Sequence, residues 1–114
     1  MDKVEFIKRV KQVVATGAIK GTLDNLNNPP GRKPDSQLLI QSSWFKELND
    51  TDREIVSKLI SEAVHEAVFG FLCVLDDVRS INGSGESNNL QLLHNGMALN
   101  DTNGEFLHDI YKNV

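Results

Sequence analysis

Between Asp52 and Arg79 the chain runs without proline and with a single glycine, Gly70. Thr51 followed three residues later by Glu54 forms a capping box in front of this run, which satisfies two orphan backbone donors at a helix start. The spacing predicts a helix from about Asp52 to about Arg79, roughly 40 Å long at 1.5 Å per residue. In a chain of 114 residues such an element dictates where everything else packs. Ile55, Leu59, Ala63, Ala67, Phe71 and Leu75 recur every fourth residue as a slowly drifting stripe, and Val56, Ile60, Val64, Val68 and Leu72 widen it. The other side begins polar, with Glu54, Lys58, Glu62, His65 and Glu66, then turns apolar at Phe69 and Cys73. A helix apolar all round must be covered all round, so the hairpin, the C-terminal helix or another subunit has to lie on Phe69 and Cys73. Gly70 costs about 1 kcal/mol of helix propensity relative to alanine, which points to a close-packed neighbour there.

The remaining elements follow from periodicity and turn chemistry. Val4, Ile7, Val10 and Val14 predict an amphipathic helix over residues 3–15, ended by Gly17, with a short helical turn from Ile19 to Leu26. NNPPGRKP (27–34) stops any helix, since proline lacks the donor that a helical ladder needs. Asp35 or Ser36 caps a third helix, with Leu38, Leu39, Ile40, Trp44, Phe45 and Leu48 facing the core and Gln41, Ser42, Ser43 and Lys46 facing water. INGSGESNN reads as a flexible polar loop. Asn95-Gly96 between apolar runs is the favoured pair for a type I′ hairpin over residues 90–99. That register pairs His94 with Met97 and Leu92 with Leu99, and places Leu90 on the same face. A second capping box, Thr102 and Glu105, predicts a final helix at about 104–113, offering Phe106, Leu107, Ile110 and Tyr111 to the core. The expectation is one domain over residues 1–114, α+β but mainly helical: four to five helices around a long central one, with one C-terminal β-hairpin.

Charge and cysteine usage narrow the function classes. The net charge of −4 divides unevenly: residues 1–34 carry seven Lys/Arg against three Asp/Glu, and residues 35–114 carry five against thirteen. An acidic chain of this kind is a poor general nucleic-acid binder, because phosphates are met by clustered cations. No apolar run approaches the roughly 20 residues needed to span a bilayer. The N-terminus lacks a signal-peptide core, and a lone cysteine suits the reducing cytoplasm. No cofactor is expected.

Several residues invite a chemical reading. A nucleophilic Cys73 would need a stabilised thiolate, yet Phe69, Asp76 and Asp77 lie beside it on the helix, and His65 is two turns away. Glu62-x-x-His65 and Glu105-x-x-His108 each place a carboxylate and an imidazole one turn apart, the pairing used in di-iron carboxylate bundles; a metal- or small-ligand-dependent enzyme built on these four is the alternative reading. Arg32 and Lys33 form a weak candidate anion site, since only one glycine accompanies them. Trp44 and Phe45 read as core packing ahead of a partner-binding anchor.

NPPGRKP, then Trp44-Phe45 leading into LNDTDR, then AVFGFLCVLDDVR (67–79), and finally LND followed by LHDIY together resemble a family of short bacterial cytoplasmic proteins with no assigned activity. In type and size the chain is also similar to toxin-immunity proteins. That similarity implies a non-catalytic protein-binding module that blocks a basic toxin by occlusion, with electrostatics speeding encounter. The acids expected on accessible faces, and hence at such a contact, are Glu62, Glu66, Asp76, Asp77, Asp101 and Asp109. A homodimer through the Phe69/Cys73 side is a further expectation.

Overall fold

The computed structural model describes residues 1–114 and is mainly helical, with one small antiparallel hairpin. The elements run α1 (Lys3–Arg9), a π-helical segment (Val10–Ala15), α2 (Thr16–Asn27), α3 (Ser36–Glu47), α4 (Asp50–Leu75), β1 (Leu93–His94), β2 (Met97–Ala98) and α5 (Leu107–Asn113). They form two compact units, one made of Met1–Ala15 with His65–Val114, the other of Thr16–Val64. No linker composition betrays the division, because both junctions fall inside helical sequence. No helix is long and apolar enough to cross a membrane.

In the Thr16–Val64 unit, α2 packs on α3. Gly17 lies inside α2 and does not end the first helix, as the sequence pattern predicts it would. Asp35 caps α3, its Oδ2 accepting from the backbone N–H groups of Gln37 and Leu38 at 3.1 and 3.2 Å. The predicted face of α3 is corrected. Ser42 is buried, and its hydroxyl donates to the Leu26 carbonyl near the end of α2. That carbonyl is among those a helix end leaves without an internal partner. With Ser42 and Phe45 turned inward, Ile40 and Trp44 are left outside, Trp44 at 54% exposure. The start of α4 is also corrected. Asn49 takes the N-cap, its Oδ1 accepting from Asp52 N at 2.8 Å, and the helix begins before the Thr51–Glu54 box could act. Asparagine is among the strongest capping residues, and LNDT offers it first.

The other unit is built around the second half of α4. Ile7 of α1, Leu107 and Tyr111 of α5, and Leu72, Cys73 and Val74 of α4 are buried here. The end of α4 comes at Leu75, short of the predicted Arg79. Val78 N donates to Cys73 O at 3.0 Å and Asp77 N to Val74 O at 3.1 Å, the hydrogen-bond pair of a Schellman motif. Asp77 occupies the left-handed position of that motif, at φ +63. Arg79 then folds back over Gly70, where an added Cβ would lie 2.5 Å from its guanidinium. This is the close neighbour that the glycine implied.

The hairpin has the expected turn: Asn95 and Gly96 have φ of +52 and +78, as a type I′ turn requires. The register is as predicted, His94 opposite Met97, with Leu99 N donating to Leu92 O at 2.7 Å. The shared face is only partly buried: Leu99 is enclosed, while Leu90 and Met97 are exposed.

Candidate functional site

The side chains with chemical potential converge on the end of α4. Asp76 lies just past the last helical residue, its side chain 1% exposed. Its carboxylate accepts from Leu107 N at 3.1 Å, from His108 N at 2.8 Å and from His108 Nδ1 at 2.6 Å. The first two donors open α5, whose N-cap residue Phe106 makes no capping bond of its own. Asp76 therefore caps α5 from another element, and the Thr102–Glu105 box predicted for that role is not formed. The adjacent carboxylate of Asp77 accepts from Asn88 N at 2.8 Å and Ser87 Oγ at 2.7 Å. These two bonds hold its pKa below the ordinary carboxylate value. Asn88 and Asn100 complete the arrangement, their side-chain amides donating to the Val74 and Leu75 carbonyls at 3.0 and 2.7 Å. The loop read as flexible is thus tied to the end of the helix.

The histidines of the two Glu-x-x-His pairs have separate partners. His65 shares a hydrogen bond with the Tyr111 hydroxyl. His108 is oriented by Asp76, with Asp109 Oδ1 3.4 Å from its Nε2. At Glu105 the backbone carbonyl accepts from Lys3 Nζ at 3.2 Å. Nowhere do three His, Cys, Asp or Glu side chains come together in a way that could hold a metal ion. Cys73 is 5% exposed, and burial pushes its thiol pKa up. Such a thiol is a poor nucleophile.

The cover over the Phe69/Cys73 side comes from this chain. The His108 ring meets Phe69 edge-on with centroids 5.7 Å apart, and Lys112 Nζ lies 4.9 Å from the Phe69 centroid. Both groups belong to α5, so the Phe69 side of α4 packs against the C-terminal helix. The acids expected at a contact differ in their surroundings. Asp76 is buried and structural, Asp77 is engaged by Ser87 and Asn88, and Asp101 is paired with Lys3 at 2.7 Å. Glu62, Glu66 and Asp109 remain on the surface, as do Arg32 and Lys33 in the loop before α3.

What the sequence did not single out is an apolar groove of about 370 Å³. It is lined by Phe6, Val10 and Val14 from the N-terminal helical segments, by Ala67, Val68, Phe71, Leu72 and Leu75 of α4, and by Leu92. Phe71 is 62% exposed. No known protein family, curated protein or solved structure matches the chain. The signal for the groove was present as an excess: α4 has more apolar positions than one set of neighbours covers. Which of them stays open depends on the π-helical segment Val10–Ala15. Its extra residue in the turn re-aims Val14 relative to a regular helix.

Proposed function

We propose that this chain is a non-catalytic protein-binding module of the immunity type, which occludes a basic protein by seating an apolar helix face of that partner in the groove. The observation that carries the reading is the groove, an apolar trough lined by the N-terminal helical segments and α4, with Phe71 protruding into solvent. Large exposed apolar surfaces on soluble proteins mark interaction sites. Small-molecule pockets bury most of their ligand's surface, whereas a half-open trough lined by helix side chains suits an amphipathic helix with anchors at i, i+3, i+4 and i+7. The partner's charge follows from the net −4 of the chain and from Glu66 and Asp109, exposed on α4 and α5 of the same unit. A field of that sign speeds encounter with a cationic partner without adding much to the final affinity.

The test is a fluorescence-anisotropy titration with a labelled amphipathic helical peptide of leucine and lysine. A peptide of identical composition with its apolar spacing scrambled serves as control. The patterned peptide should bind at least tenfold more tightly (about 1.4 kcal/mol), and Phe71→Asp should abolish that preference. Equal binding of both peptides, or indifference to Phe71→Asp, would end this reading.

A further inference from the structure

The ammonium of Lys3 sits in a nest of oxygens supplied by one short loop. Its Nζ donates to the carbonyls of Asp101, Asn103 and Glu105 at 3.0, 2.7 and 3.2 Å, and it is 2.7 Å from Asp101 Oδ1. The three carbonyls belong to alternate residues of Asp-Thr-Asn-Gly-Glu (101–105), and Gly104 bends that loop at φ +76. Three carbonyls and a carboxylate oxygen from this one bent loop therefore converge on a single cation. Lysine has three donors and here meets four acceptors, so its ammonium is fully satisfied while 17% of the side chain stays exposed.

We propose that loop 101–105 is a monovalent-cation site whose resident ion is the Lys3 ammonium, and that potassium or free ammonium occupies it once that side chain is withdrawn. The donor set, three neutral carbonyls and one carboxylate oxygen, points to the class of ion. Calcium binds oxygen at about 2.3–2.6 Å and magnesium at about 2.0–2.1 Å, with more carboxylate in the shell. The 2.7–3.2 Å found here are the hydrogen-bond lengths of an ammonium, and a shell made mostly of neutral carbonyls suits a weakly hydrated monovalent ion, which rings of carbonyls also serve elsewhere. In the intact protein the amine holds the site, because it is tethered to the chain and its binding is an intramolecular event. The start of α1 is therefore fastened to the loop after the hairpin by an ionic contact that other cations can imitate.

The experiment is thermal unfolding of Lys3→Met, which keeps the length and packing of the side chain, in chloride salts of potassium, ammonium, sodium and choline at one ionic strength. In choline the variant should melt about 4–8 °C below the parent. Potassium and ammonium should restore at least half of that loss, sodium less, and the parent should melt alike in all four. Adding Asp101→Asn to the variant should remove the ion-specific recovery. Identical melting of Lys3→Met in all four salts would overturn the proposal. Lys3→Gln, run in the same salts, carries the same two outcomes should the methionine variant fail to fold. Amine acylation of the parent checks the resident ion: Lys3 should react more slowly than the exposed Lys20, and equal rates would overturn the assignment.

Discussion

Replacing Asp76 with alanine tests the organisation of this unit more severely than any other single change. The substitution strands the backbone N–H groups of Leu107 and His108 and releases the imidazole of His108. Leu107 is wholly buried, so water cannot replace its lost acceptor. A buried donor left unsatisfied costs about 1–3 kcal/mol, and a lost N-cap about 0.5–2 kcal/mol. The His108 amide is only part-buried and recovers some hydration, which places the total at about 3–4 kcal/mol. Against a typical stability of about 5–15 kcal/mol, the protein should still fold, with a melting point lower by roughly 10–15 °C. Urea denaturation followed by circular dichroism gives the free energy, and amide hydrogen exchange at Leu107 and His108 locates it. Asp76→Asn keeps one acceptor oxygen and should lose about half as much. In a double-mutant cycle with His108→Ala, the coupling should account for the imidazole bond alone, about 1–2 kcal/mol. An Asp76→Ala variant within about 0.5 kcal/mol of the parent, the scale of an ordinary surface substitution, would refute the capping argument.

Other expectations follow from the same contacts. Asp77→Ala should be worse than Asp77→Gly by about 1 kcal/mol in urea melts, since both lose the Ser87 and Asn88 bonds but only alanine resists a left-handed backbone. The folded pKa values of Asp77 and Asp101 lie below the ordinary 3.8, held there by Asn88 and Ser87 and by Lys3 respectively. Their contribution is therefore present above pH 3.8 and lost as the pH falls through the lowered values. Urea midpoints should drop across that acid window, and the Asp77→Asn, Asp101→Asn double variant should flatten the slope. Cys73 has the opposite sign: burial raises its pKa above 9.0, so stability holds below that value and declines as the pH climbs past it. Alkylation by iodoacetamide at pH 8 should track global unfolding, and rapid modification of the native protein would contradict the burial. Gly70→Ala should be neutral or stabilising by up to about 1 kcal/mol, because only the mobile tip of Arg79 opposes the new methyl group; a clear loss in the melting curve would show that Arg79 cannot move.

The sequence by itself determined the elements whose cause is local. Asp35 caps α3 through bonds two and three residues ahead, and Asn95-Gly96 turns the hairpin because those residues tolerate positive φ. The apolar period of residues 55–75 declares a long helix wherever its neighbours fall. Tertiary structure decided what needs a distant partner. Two predicted capping boxes gave way, one to Asn49, which accepts from the amide three residues on, and one to Asp76, whose bonded amides are 31 and 32 positions away. Ser42 went inside because Leu26 needed a donor. Lys3 and Lys11 both direct their ammonium groups to backbone oxygens about a hundred residues along the chain, so part of the basic N-terminal segment is answered by the acidic C-terminal one. A backbone polar group or a charge must find its partner before it can be buried, and periodicity does not carry the address of that partner.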